Sequence, residues 1–232
     1  MLRVMSNALF RLLHITDPSL PVGSYSHSGG LETYVQSGVV HDSFSAKAFV
    51  TEMLSGNIQF TDAAFLSLAF DAAAEKNEEE LLRLDATCTA VKLPEEIRNA
   101  STKLGRRLVK LFDPLCGNAF SSFYKTAIAT GGADGHYSIF FGLYTQAMQV
   151  SKEDALTGFY YNTAAGYITN CVKLVPLGQQ QGQEMLFSLQ PLIEKLVVAS
   201  LQPDPDLLGL CAPGLDIRCM QHEQLYSRLY MS

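Results

Sequence analysis

The sequence is short of charge. Charged residues fill 17% of its 232 positions, against the ~25% usual for soluble domains. With 47% hydrophobic residues this excludes a disordered chain, and it predicts that other protein covers part of the surface, because a bare apolar exterior aggregates. Positive charge is the scarcer sign, 17 Lys and Arg against 23 Asp and Glu, for a net charge of −6. A nucleic-acid binder needs a basic face that neutralises several phosphates, so that class is excluded, and anionic membranes are disfavoured for the same reason. No apolar run approaches the ~18 residues that span a bilayer, and Met1–Phe10 lacks the apolar stretch and cleavage site of a signal peptide. The chain is expected to be cytoplasmic. Its five cysteines, Cys88, Cys116, Cys171, Cys211 and Cys219, contain no CxxC pair and read as reduced, mostly buried thiols. Neither a GxxxxGK[ST] nor a GxGxxG is present, so neither of those phosphate-binding loops is available.

Strand signals are also missing, and what remains is helical periodicity. Ala46, Phe49, Val50, Met53 and Leu54 step by three and four behind a candidate cap at Asp42 or Ser43. Residues 60–74 are apolar nearly all round, as in a helix buried on most sides. Pro94 sits in a first turn, with Ile97, Ala100, Leu104, Leu108 and Leu111 as the inner stripe and Pro114 closing the element. The glycine-dense stretch 131–135 predicts a flexible loop, and residues 176–200 one long helix kinked at Pro191. Beyond Leu201, Pro203, Pro205, Gly209, Pro213 and Gly214 predict an exposed, helix-poor tail. The expected fold is all-α: one helical-bundle-like domain over residues 1–201, of about nine to ten helices, with irregular ends and an exposed tail over 202–232.

Chemistry is sparse. In the front segment 17–30, serine and histidine stand side by side, but neighbouring residues point apart and the GxSxG spacing is absent, so a nucleophile elbow fails. The bland reading is a proline-set turn leading into a helix. In the tail, Cys211, Asp216, Cys219, His222 and Glu223 fall close together and include nickel- or zinc-ligating types, but in no established pattern. Lys103, Arg106, Arg107 and Lys110 stand at i, i+3, i+4 and i+7, a basic stripe on one helix. That stripe is either ordinary surface charge paired with neighbouring acids or a docking edge for an acidic partner. Gln179, Gln180, Gln181 and Gln183 add a polar, uncharged surface.

Three blocks carry a resemblance: residues 20–32 (LPVGSYSHSGGLE), residues 176–183 (PLGQQQGQ) and residues 222–232 (HEQLYSRLYMS), with Arg98, Ser101, Gly105 and Arg106 between them. In order and across nearly the whole chain, they resemble the UreF family of urease accessory proteins. The resemblance implies an all-α homodimer without catalytic residues or cofactor of its own. Such a protein binds UreD (UreH in some organisms) and then the GTPase UreG, and helps load nickel into apo-urease. It also implies a UreG-facing front loop at Pro21, Val22, Gly23, Ser24 and Tyr25. The UreD-facing tail would be His222, Glu223, Leu225, Tyr226, Ser227, Arg228, Leu229 and Tyr230, gaining order on that partner. Two other readings stay open: a GTPase-activating protein inserting Arg98, Arg106 or Arg107, and a metallochaperone binding the nickel cation through His222 and Cys219.

Overall fold

Helix starts are set by short polar side chains that take up the free N–H groups of a first turn. The structure, a computed structural model, describes residues 8–22, 28–210, 212–226 and 228–230. It opens on α1 (Ala8–Ile15) and, after a turn, α2 (Leu31–Gln36). Asp42 accepts from the Ser45 amide, and Ser45 closes a capping box that starts α3 (Ser43–Glu52); the helix runs on as a π-turn over Met53–Ile58. The expected apolar helix is α4 (Asp62–Glu75), and Asn77 then caps α5 (Glu78–Val91), whose first turn holds Glu78, Glu79 and Glu80. Pro94 precedes α6 (Glu95–Cys116), and an Asn118–Ser121 capping box starts α7 (Ala119–Ala129). Past the glycine loop come α8 (Tyr137–Ala147) and the Ser151-capped α9 (Lys152–Leu174). The chain ends with α10 (Gln179–Ser188), α11 (Gln190–Ser200), a single 3₁₀ turn at Pro205–Leu207 and α12 (Pro213–His222). The fold is all-α, with no strand among the described residues, and none of its described helices is long and apolar enough to cross a membrane.

α4 and α8 form the centre of the core. Phe65, Leu66, Ile139, Phe140, Phe141 and Tyr144 are fully buried there, and Gly142 lets the two backbones close: a Cβ on it would lie 2.4 Å from the Leu66 carbonyl oxygen. A second close approach seats α6 on the glycine loop, where a Cβ on Gly105 would lie 2.2 Å from the Gly135 carbonyl oxygen.

Three expectations are corrected. Pro114 does not close α6, which continues to Cys116; a proline in the last turn removes one backbone bond and is tolerated there. The single kinked helix over 176–200 is two helices meeting at Leu189, with Pro191 in the first turn of α11, where its missing N–H costs nothing. The tail is not helix-poor. Pro213 starts α12, and Asp216 stands in its first turn. That helix lies on α2: Thr33 Oγ1 donates to the Arg218 carbonyl at 3.0 Å, the Arg218 guanidinium sits 5.6 Å over the Tyr34 ring, and a Cβ on Gly30 would meet Cys219 Sγ at 2.9 Å. Together with the broken 176–200 element, it brings the α-helices among the described residues to twelve.

Candidate partner-docking site

Two carboxylates and one imidazole hold the tail in place. Glu32 on α2 is buried, and its Oε1 accepts from the Leu229 amide at 2.7 Å while its Oε2 accepts from the Tyr230 amide at 3.2 Å. His222, at the end of α12, is wholly buried between Glu32 Oε2 at 3.1 Å and Glu96 Oε2 at 2.7 Å. A carboxylate only accepts, so the ring makes both bonds when each nitrogen carries a hydrogen. Arg228 Nη1 then donates to Glu96 Oε1 at 2.6 Å, completing a chain of hydrogen-bonded side chains from α2 through α12 to α6 and the tail. Charge-assisted bonds of this kind are the strong ones, and here they fix backbone as well as side chains.

The clasp sorts the sequence-derived tail residues. His222 and Tyr230 face inward, Leu225 is half-buried, and Arg228 is engaged with Glu96. Glu223, Tyr226 and Leu229 are exposed, Tyr226 completely. Ser227 lies outside the described residues. Ile217 and Met220 on α12 are exposed as well, so the outer side of the tail carries several apolar side chains among polar ones.

The front segment meets the basic stripe. Arg107 Nη1 donates to the Val22 carbonyl at 3.0 Å, tying the turn before the loop to α6. Val22 is itself buried and Pro21 exposed; Gly23, Ser24 and Tyr25 lie outside the described residues. Lys103, Arg106 and Lys110 are exposed and make no ion pair among the described residues.

The other candidate chemistries are built differently from what each needs. Arg98 Nη1 donates to the Lys92 and Leu93 carbonyls, at 2.8 and 3.2 Å, and so finishes the C-terminus of α5 rather than reaching outward. Cys219 is buried, and burial, with the carboxylates of Asp216, Glu96 and Glu223 adding to it, pushes its thiol up to about 12. The thiolate a metal needs is disfavoured there, and the nitrogens of His222 are already used. Cys211 lies outside the described residues.

Sequence reading missed one further cluster. Asp85 is buried and accepts from Tyr124 Oη at 2.5 Å and from the amides of Asp134 and Gly135 at 2.6 and 3.0 Å, which locks the glycine loop. His136, at the start of α8, is fully buried; its Nε2 lies 2.8 Å from Thr89 Oγ1, which donates to Asp134 Oδ2 at 2.5 Å, so the ring donates there. Its Nδ1 is left to accept from Ser101 Oγ at 3.0 Å. Serine, histidine and a carboxylate so aligned suggest a nucleophile, but Ser101 sits inside α6. The neighbouring N–H groups belong to the helix ladder, so no free pair of donors stands beside it to receive an oxyanion. The arrangement holds the loop against α6. The only advance signal was the order of loop glycines and histidine before an apolar helix.

The chain as a whole is similar to known proteins. Residues 40–190 match the family model of UreF. The chain is 46% identical over 221 residues to the urease accessory protein UreF of Actinobacillus pleuropneumoniae serotype 5b, covering 95% of this chain and 97% of that one. It is likewise 46% identical to the protein of the same name from Haemophilus influenzae strain KW20/Rd, over 95% of this chain and 94% of that one. Against the urease accessory protein UreF of Bacillus sp. TB-90 the identity is 33% over 226 residues, 97% of this chain and all of the other. An all-α chain matched over nearly its whole length by these proteins belongs to the UreF family of urease accessory proteins.

Proposed function

We propose that the protein is a scaffold for nickel insertion into apo-urease. It forms a homodimer and bridges UreD (UreH) on its C-terminal side to the GTPase UreG on its front side. The observation that carries this reading is the tail: its backbone is pinned by the buried carboxylate of Glu32 while Tyr226 and Leu229 point outward from it. Apolar side chains presented on a fixed backbone bind at low ordering cost, and Tyr is a favoured anchor of interfaces. The cationic row Lys103, Arg106 and Lys110, joined to the front turn through Arg107, supports a second surface for an acidic partner. Nickel is the cargo; nucleotide-dependent change in UreG releases it toward urease while the scaffold keeps both partners in place.

The test is light scattering after size exclusion. The native chain is expected at twice its monomer mass and to recruit UreD, then UreG. The double variant Tyr226→Ala, Leu229→Asp is expected to keep its helicity and its dimer and to lose UreD. A variant that recruits UreD as the native chain does would overturn the assignment of the tail. Lys103→Glu with Arg106→Glu is expected to reduce UreG recruitment alone.

A further inference from the structure

Between α6 and α9 the protein encloses an open cavity of about 350 Å³, within the ~300–1,000 Å³ of small-molecule sites. Ile97, Leu104 and Phe159 supply an apolar wall. Lys92 and Asp62 also line it, paired Nζ to Oδ2 at 2.8 Å, with Lys92 only 7% exposed. An ammonium has three N–H bonds to give, and Lys92 uses one of them among the described residues. Tyr137 and Tyr167 line the same cavity, and neither hydroxyl has a hydrogen-bond partner among the described residues. Burial pushes both phenols up, so they keep their protons and remain donors. Ser101, a further lining residue, has its hydroxyl hydrogen committed to His136. Lys92, Tyr137 and Tyr167 thus present N–H and O–H donors to the cavity, beside the carboxamide side chains of Asn162 and Asn170.

The Lys92–Asp62 pair sums to no net charge. A second carboxylate entering would leave one negative charge uncompensated in a largely apolar space, whereas a neutral carbonyl oxygen takes the same hydrogen bonds without that penalty. We propose that the cavity is a binding site for a small neutral carboxamide with an apolar body, its carbonyl oxygen received by Lys92, Tyr137 and Tyr167 and its body lying along Ile97, Leu104 and Phe159. The site is independent of the partner-docking surfaces and stands or falls without them.

Calorimetry and saturation-transfer NMR on the native chain test it, with 3-phenylpropionamide as the probe. The expected result is saturable binding of the amide, weaker binding of 3-phenylpropionate and none of 3-phenylpropylamine. Tyr167→Phe keeps the ring and removes one donor, and is expected to weaken the amide about fivefold. Ala100→Phe, at a position lining the cavity, leaves the ion pair in place and is expected to abolish binding. No saturable binding by the native chain, equal binding of all three probes, or unchanged binding by a folded Ala100→Phe variant would each overturn the proposal.

Discussion

Gly142 and Gly166 are both helical glycines, and they predict opposite responses to one added methyl group. A Cβ at Gly142 lies 2.4 Å from the Leu66 carbonyl oxygen, which belongs to the rigid backbone of α4. Gly142→Ala must therefore push α4 and α8 apart, and a loss of about 3 kcal/mol is expected from the urea midpoint. At Gly166, inside α9, nothing lies within 4 Å of the added atom, so Gly166→Ala is expected to stabilise by about 1 kcal/mol through helix propensity. His136 makes a prediction in pH. Burial, only partly opposed by the nearby Asp85 carboxylate, holds its imidazole below the ordinary value of 6.5. As pH falls through 6.5 the unfolded chain takes up this proton before the folded one does. Folding stability therefore declines below about 6.5 and is level above it, as far as this group contributes. Thermal melts across this range should show the decline, and His136→Gln should flatten it while keeping a polar side chain between Ser101 and Thr89.

At the scale of elements the prediction concerns α12. His222→Ala removes the ring that bridges the buried Glu32 and the half-buried Glu96, at 5% and 19% side-chain exposure. Leaving a buried acceptor without its hydrogen-bond partner costs about 1–3 kcal/mol, and here the cost falls on one element. Hydrogen exchange should accelerate across α12 and the amides of Leu229 and Tyr230, while α4 and α8 keep native protection. Exchange that rises equally everywhere would show that the clasp belongs to the global fold. Most of the helices were legible beforehand: α3 from its Asp42 cap and apolar spacing, α4 from apolar residues all round, α9 from Leu156, Phe159, Tyr160, Ile168 and Cys171 on one side. The docked tail was not, because proline is read as a breaker when its first-turn preference applies, as at Pro213. Nor was the clasp, since His222 meets Glu96 126 residues away and Glu32 190 residues away. Periodicity reports one face of one element; it does not say which distant acid will lie across from a histidine. The basic stripe of α6 was legible as a pattern, but its link to the front turn, Arg107 to the Val22 carbonyl, is a tertiary contact.

For the whole molecule, the scarcity of charge noted in the sequence becomes a distribution of exposed apolar side chains. Leu9, Phe10 and Leu13 stand exposed on α1, Phe187 on α10, Val198 on α11, and Ile217, Met220, Tyr226 and Leu229 along the C-terminal region. Some of that surface is presented by a segment that is also part of the body's own packing, because α12 covers α2 and the buried Tyr230 amide is bonded to Glu32. A chain ending at Leu201 therefore tests two properties together. It lacks Tyr226 and Leu229, and it leaves Leu31, Glu32 and Thr33, all buried in the full chain, exposed along with the uncompensated Glu96. Its melting temperature is expected to fall by several degrees, since ~1 kcal/mol corresponds to about 2–4 °C at this size, and UreD recruitment is expected to disappear. Tyr226→Ala with Leu229→Asp should lose UreD with the melting temperature unchanged, since both side chains already face solvent. If the truncated chain melts as the full chain does, α12 is an appendage whose packing on α2 contributes no stability. If it melts lower while the double variant still binds UreD, the tail is a structural strap and the UreD contact must be sought on α1 or along α10 and α11.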